Sequence, residues 1–185
     1  MENFIEATYP RSGRPTPGAL FRSLFASPFG VLNLGVDADG TLVELWLPNR
    51  ERRDVSSEPF PAAARTAMDA VKTQLHEYFA GKRRTFDLAI APKGSPFEQR
   101  VWTRLRTIPY GATMSYGAIA AEFGLDNAAR AVGRANGANP IPIIIPCHRV
   151  IGADGTLTGF GGGLPLKRAL LELEGAIRPP DPQLF

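Results

Sequence analysis

The chain has 185 residues, enough for one large domain or two small ones, and a formal charge of +3. That mildly basic balance permits nucleic-acid binding without arguing for it. No apolar run approaches the roughly 20 residues that a membrane-spanning helix needs. Acidic Glu2 and Glu6, with no apolar stretch behind a basic start, argue against a secretory leader, so a cytoplasmic protein with no membrane partner is expected. The single cysteine, Cys147, excludes an internal disulfide. One cysteine and two distant histidines, His76 and His148, do not make a structural zinc set, and neither a metal nor a cofactor is expected.

Residues 1–20 carry Pro10, Pro15 and Pro17 among Ser and Gly and read as an irregular arm. Residues 31–36 and 41–47 are β-rich runs around Asp37-Ala38-Asp39-Gly40, the signature of a hairpin. A charged loop over 48–59 leads to an amphipathic helix over 61–80, where Met68, Val71, Leu75, Tyr78 and Phe79 share a face and Gly81 supplies the stop. His76 falls within this helix as a surface or boundary residue. Phe86, Leu88 and Ile90 alternate as in a strand, and nothing in this first part carries obvious chemistry.

A linker at 91–94 precedes a strong helix start. Ser95, Pro96 and Glu98 stand in register as N-cap, first-turn proline and capping-box acid. Phe97, Val101, Leu105 and Ile108 mark the buried face of that helix. Two short helices follow, over 116–123 and 127–137, joined by a turn around Gly124-Leu125-Asp126, which is a helix-turn-helix pattern. The proline-punctuated stretch 140–146 should be extended and buried. A Gly-rich loop covers 152–163, and a last helix over 165–174 carries Leu166, Leu170 and Leu171, with Gly175 at its C-cap. The fold class is therefore α+β. A small N-terminal α/β domain of antiparallel sheet plus helix spans 1–91. A mostly helical C-terminal domain with the helix-turn-helix spans 92–178, and 179–185 form a tail.

Two constellations carry chemistry. Cys147 follows a proline-stiffened apolar segment, precedes a Gly-rich loop, and is followed by His148 and Arg149, which would favour its thiolate if they lie close. A lone cysteine is nonetheless often a small core residue, and in an extended segment His148 would point away from the sulfur, leaving a relay through water as plausible as a direct bond. The residues alone leave both readings of Cys147 open. The second constellation is the helix over 127–137, almost all small residues broken by Arg130 and Arg134. Small residues suit packing on another helix. Placed second in a helix-turn-helix with two arginines, they equally suit contact with a nucleic-acid backbone.

The run Pro146-Cys147-His148-Arg149-Val150 resembles the active-site signature of the O6-alkylguanine-DNA alkyltransferases, the methylated-DNA–protein-cysteine methyltransferases. The resemblance extends through Asn139-Pro140-Ile141-Pro142, Ala129-Arg130-Ala131-Val132-Gly133, Gly162-Gly163-Leu164, Lys167, Leu170-Leu171 and Glu174-Gly175, covering roughly 95–175. It implies a partner, double-stranded DNA containing alkylated bases, and a reaction: irreversible transfer of the alkyl group from O6-alkylguanine, and from O4-alkylthymine, to Cys147, one lesion per molecule. No obligate protein partner is implied. On this resemblance His148 takes the thiol proton through a water, Glu174 orients and charge-balances His148, and Asn139 holds the active-site turn. Arg130 is the finger that fills the gap left by the flipped nucleotide. Tyr116 assists that rotation and hydrogen-bonds the leaving guanine, while Ala129, Ala131 and Gly133 let the recognition helix enter a narrow minor groove, where general helix-turn-helix rules would place it in the major groove.

Tyr116, Pro142, Val150, Phe160 and Gly161 would form the substrate pocket. Phe160 stands where many relatives have tyrosine, and Gly161 where some have serine, which implies altered tolerance for alkyl groups without loss of activity. The zinc ligands that some relatives carry near the N-terminus are missing. Three rivals rank lower: a lesion binder without transfer, disfavoured by the presence of Cys147; a multiple-turnover cysteine hydrolase, which would have no use for a helix-turn-helix; and a transcriptional regulator, which would need a further DNA-binding or zinc module.

Overall fold

The computed structural model describes residues 18–48, 54–125 and 127–178. Most of the expected N-terminal arm, Asp126 of the expected turn and the tail over 179–185 lie outside the described residues.

The N-terminal half is a three-stranded antiparallel sheet, β1 Leu20–Ser27, β2 Gly30–Asp37 and β3 Leu42–Trp46, in the order β1-β2-β3. Alternation in β2 sends Leu32, Leu34 and Val36 inward. The β2–β3 turn forms because Asp37 Oδ1 accepts from the backbone N–H of Asp39 (3.1 Å) and Thr41 (2.8 Å), and Gly40 adopts a φ of 88°. Helix α1, Ala62–Phe79, lies across β1 and β2 and buries Ala64, Met68, Val71, Leu75 and Tyr78, all five at three- and four-residue spacings. His76 is exposed.

The expected strand through Phe86, Leu88 and Ile90 does not form. Only Ile90 bridges to Leu42, with Leu42 N–H donating to Ala89 and Ala91 N–H to Leu42. The outer edge of β3 is already taken at Leu45, whose N–H donates to the Pro140 carbonyl at 2.8 Å. Two segments share one short edge, and neither has room for a ladder.

The C-terminal half is helical. Helix α2, Pro96–Leu105, starts with both halves of the Ser95–Glu98 capping box in place. It buries Val101, Trp102 and Leu105, and the Trp102 indole N–H donates to the Ala135 carbonyl at 2.8 Å, fixing α2 on helix α4, Ala129–Gly137. Helix α3, Tyr116–Glu122, is capped by Ser115 and packs on α4, so the two expected helices of the helix-turn-helix stand together. Strand β4, Met114–Ser115, pairs in parallel with β5, Val150–Ile151, and helix α5, Leu164–Leu173, is the last element among the described residues, ended by Gly175 at a φ of 70°.

The stretch 140–146 is buried as expected but is not extended. Prolines 140, 142 and 146 disfavour helix on the residues before them, yet Ile143 takes a φ of 76° and the chain reverses, letting Ile145 N–H donate to the Ile141 carbonyl at 2.9 Å. Positive φ in a β-branched residue is strained, by about 1–3 kcal/mol. That strain is held by the groups described next.

Candidate active site

Asn139 spans the reversal. Its Oδ1 accepts from Ile141 N–H (3.0 Å) and its Nδ2 donates to the Ile145 carbonyl (2.7 Å), tying both ends of the turn to one side chain. Cys147, His148 and Arg149 then form a single 3-10 turn, all three buried. Asn136 from α4 donates to the Cys147 carbonyl at 3.3 Å, so the nucleophile candidate is fixed from two sides.

Cys147 sits at the wall of a cavity of about 740 Å³. Tyr116, Ala129, Arg130, Gly133 and Arg134 of the helix-turn-helix line it, with Asn139, Pro140 and Pro142 of the reversal and the loop from Thr158 to Gly161. The structure thus gathers Tyr116, Arg130, Pro142, Phe160 and Gly161 around the thiol. One expected pocket residue does not reach it: Val150 is fully buried in β5, where its backbone serves the β4 pairing. Ala131, expected at the DNA-facing helix surface, is half-buried and does not line the cavity. Tyr116 Oη lies 3.4 Å from the Thr158 carbonyl, and burial raises its pKa, keeping the phenol a donor. Gly162 allows the loop to pack: an added Cβ would come within 2.6 Å of Leu166 and 2.9 Å of Leu47.

Behind the thiol lies a buried charge network. His148 Nε2 is 2.9 Å from Glu174 Oε1, Arg149 reaches both Glu174 oxygens (Nε to Oε2 2.8 Å, Nη2 to Oε1 2.9 Å), and Arg149 Nη1 donates to the Ile108 carbonyl at 2.6 Å. Burial would raise the Glu174 carboxyl, but the hydrogen bonds from His148 and Arg149 outweigh it and hold the pKa at about 2. An ionised carboxylate only accepts, so His148 Nε2 carries the hydrogen and Nδ1 the lone pair. That Nδ1 is buried and has no hydrogen-bond partner among the described residues. Burial lowers the His148 pKa against the pull of Glu174, so the ring is neutral at neutral pH.

Burial likewise pushes the Cys147 thiol up to about 11, opposed by the Asn139 side chain and by the charge of Lys167. The thiolate is therefore not favoured by Arg149, as adjacency had suggested: that guanidinium is spent on Glu174. The cation facing the thiol is Lys167, fully buried in α5, lowered by that burial to about 8, with Nζ donating to the carbonyls of Val150 (2.6 Å) and Thr158 (2.7 Å).

Residues 96–176 match the family model described as 6-O-methylguanine DNA methyltransferase, DNA binding domain. The chain is 58% identical over 127 residues to the methylated-DNA–protein-cysteine methyltransferase of Mycobacterium tuberculosis, a match covering 69% of this chain and 74% of that one. It is 42% identical over 163 residues to that of Methanosarcina acetivorans, covering 85% and 99%. The chain belongs to the methylated-DNA–protein-cysteine methyltransferase family. Its fold agrees: the Mycobacterium tuberculosis O6-methylguanine methyltransferase superposes with a TM-score of 0.70 at 47% identity, covering 90% of this chain and 99% of that chain. The same organism's OGT in complex with DNA gives 0.74 at 47% identity, covering 84% and 93%.

For a methyltransferase of this family, the N-terminal half is less silent than its sequence suggested. Leu45, Trp46 and Leu47 of β3 and its end line the cavity, and the Tyr78 hydroxyl donates to Glu174 Oε1 at 2.7 Å. Neither carries a sequence signal for chemistry, since strand apolars and a helix-face tyrosine read as core. Lys167 does carry one. Lys167, Leu170, Leu171 and Glu174 fall at i, i+3, i+4 and i+7, which puts two charges on the apolar stripe of α5.

Proposed function

We propose that this protein reverses DNA alkylation by moving the alkyl group from O6 of guanine, or O4 of thymine, onto Cys147 Sγ, once per molecule. The observation that carries this reading is a buried thiol at the wall of the cavity beneath the helix-turn-helix, backed by a neutral His148 fixed by Glu174.

In the proposed reaction the helix-turn-helix engages duplex DNA, Arg130 occupies the gap left in the stack, and the damaged base rotates into the cavity. Arg130 is exposed at the cavity wall, which suits that task. His148 Nδ1 takes the Cys147 proton through a bridging water, as a base oriented by its own carboxylate partner. Sγ forms a bond to the alkyl carbon, the carbon–oxygen bond breaks, and its electron pair goes to the base. The Tyr116 hydroxyl hydrogen-bonds that base as it leaves, and the proton given up by the thiol ends on the restored guanine. A thioether has no good leaving group and no step returns the thiol, so the stoichiometry is one. The apolar Phe160 face and the size of the cavity suit alkyl groups larger than methyl.

The test is intact-protein mass spectrometry after incubation with duplex containing O6-methylguanine, and separately O4-methylthymine. One added methyl, mapped to Cys147 and saturating at one per protein, is the expected result. No mass change with tight binding to the same duplex would overturn transfer in favour of lesion binding alone.

A further inference from the structure

Glu174 Oε1 accepts from more donors than a carboxylate oxygen can serve fully. Tyr78 Oη (2.7 Å), His148 Nε2 (2.9 Å) and Arg149 Nη2 (2.9 Å) converge on it, while Oε2 takes Arg149 Nε at 2.8 Å and Gly111 N–H at 3.4 Å. An ionised oxygen offers about two lone-pair sites, so the three donors on Oε1 compete. Whatever one donor takes is withheld from His148.

Tyr78 differs from the other two. It comes from α1, 96 residues away in sequence, and is fully buried. Its ring is held by Phe79, Phe86 and Tyr110 at centroid distances of 5.3, 5.4 and 6.2 Å, so the hydroxyl has little freedom to leave the carboxylate. Burial raises its pKa well above 10, and it stays a donor throughout the working range. The other titratable groups facing the pair are Arg149 on the 3-10 turn, Lys167 on α5 and Tyr110 after α2.

We propose that Tyr78 is a positioning residue for the Cys147 reaction: its hydroxyl fixes Glu174 Oε1 against His148 and draws off part of that oxygen's charge, keeping His148 neutral and able to receive the thiol proton. The inference rests on the reading of His148 as the base. It makes the N-terminal half a working part of a site whose motifs all lie in the C-terminal half.

Tyr78→Phe removes the hydroxyl and keeps the ring contacts. Without the competing donor, Oε1 turns more fully to His148 Nε2–H, which favours the imidazolium. A base must be neutral to accept a proton, so the acid limb of the single-turnover rate should move to higher pH. On that limb the variant should be slower by about fivefold, the scale of one net hydrogen bond, since the hydroxyl draws off only part of the carboxylate's hold on His148. The alkaline plateau should change much less. Nitrogen-detected NMR reads the same shift without DNA. The chain has only two histidines, and exposed His76 serves as the internal reference.

The expected result is a higher titration midpoint for His148 with that of His76 unmoved, and a matching shift of the rate profile. A His148 midpoint that does not move in the folded variant overturns the role of Tyr78. A midpoint that moves while the rate profile stays in place overturns His148 as the base, and the catalytic meaning of Tyr78 with it. Loss of thermal stability alone would not move either midpoint, so a merely structural role is separable.

Discussion

Replacing Glu174 with Gln tests the buried network most directly. The carboxylate oxygens accept from Tyr78, His148, Arg149 and the Gly111 backbone, and Arg149 is almost fully enclosed with no other acid in reach among the described salt bridges. A glutamine offers one acceptor oxygen and turns an NH2 group toward groups that are themselves donors. The Arg149 charge then stays buried without a counter-charge, a situation that costs about 3–5 kcal/mol. For a chain of this length each kcal/mol moves Tm by about 2–4 °C, so the melting temperature should fall by roughly 6–20 °C.

Thermal melts of wild type, Glu174→Gln, Arg149→Met and the double variant at pH 7 measure this as a double-mutant cycle. The double variant should be more stable than Glu174→Gln alone, because removing the stranded guanidinium removes the penalty. The coupling between two groups in direct contact should be at least about 1 kcal/mol. A Glu174→Gln melt within about 3 °C of wild type, which is under about 1.5 kcal/mol, or additive effects in the cycle, would refute the claim that the pair is buried and mutually compensated.

The same carboxylate sets an acid limit. Its pKa is about 2 when folded against 4.5 for an ordinary glutamate, so its stabilisation is present above pH 4.5 and drains away as pH falls toward 2, roughly 3 kcal/mol in all. His148 acts in the same direction, because the unfolded ring takes up a proton near pH 6.5 that the buried ring resists; urea midpoints should therefore drop steadily from pH 7 to pH 3, and a flat profile would contradict both shifts. Cys147 in the free protein should react with iodoacetamide about 300-fold more slowly at pH 7.5 than an ordinary cysteine of pKa near 8.5, with the rate climbing about tenfold per pH unit until about 11. Arg130→Ala should slow repair of duplex much more than reaction with free O6-alkylguanine base, since the proposed finger role gives the exposed guanidinium a task only in the stack; equal losses in single-turnover assays of the two substrates would remove that role.

What could be read from the sequence follows from how local its physics is. The α2 start was legible because Ser95, Pro96 and Glu98 settle it within four residues, and α1 because its stripe repeats over five turns. The 140–146 stretch misled because each proline constrains only its predecessor. The reversal at Ile143 depends on Asn139 clamping Ile141 and Ile145, a tertiary-scale arrangement that lets one β-branched residue take a positive φ. The strand expected at Phe86 to Ile90 failed for a related reason, because alternation says nothing of which edge is still free. Glu174 is the instructive middle case. An acid at a helix C-terminus conflicts with the dipole, which the order of residues shows by itself; the donors that resolve it come from α1, the 3-10 turn and Gly111, far off in sequence.

The electrostatics of the site make sense as a resting state built to be disturbed in one way only. At neutral pH the buried layer holds Glu174 negative and Arg149 and Lys167 positive, with Cys147 and His148 both neutral. A thiol so far from ionisation is poorly reactive toward stray electrophiles, which would protect it for the single transfer proposed above. In the proposed transfer, proton movement from Cys147 to His148 creates one negative and one positive charge inside a low-dielectric interior. Each meets a partner already in place: Lys167 faces the sulfur and Glu174 holds the imidazole. Fixed partners of this kind stabilise developing charge without reorganising at the moment of reaction. The balance is also narrow. A stronger hold of Glu174 on His148 would charge the base too early, and a weaker one would leave the imidazolium unsupported, so a neutral hydroxyl sharing Oε1 is a means of setting it between the two. That hydroxyl belongs to α1, and Leu45 to Leu47 of the same half close the cavity wall. The half of the chain without a motif therefore contacts both the network around the proposed base and the space in which it would work.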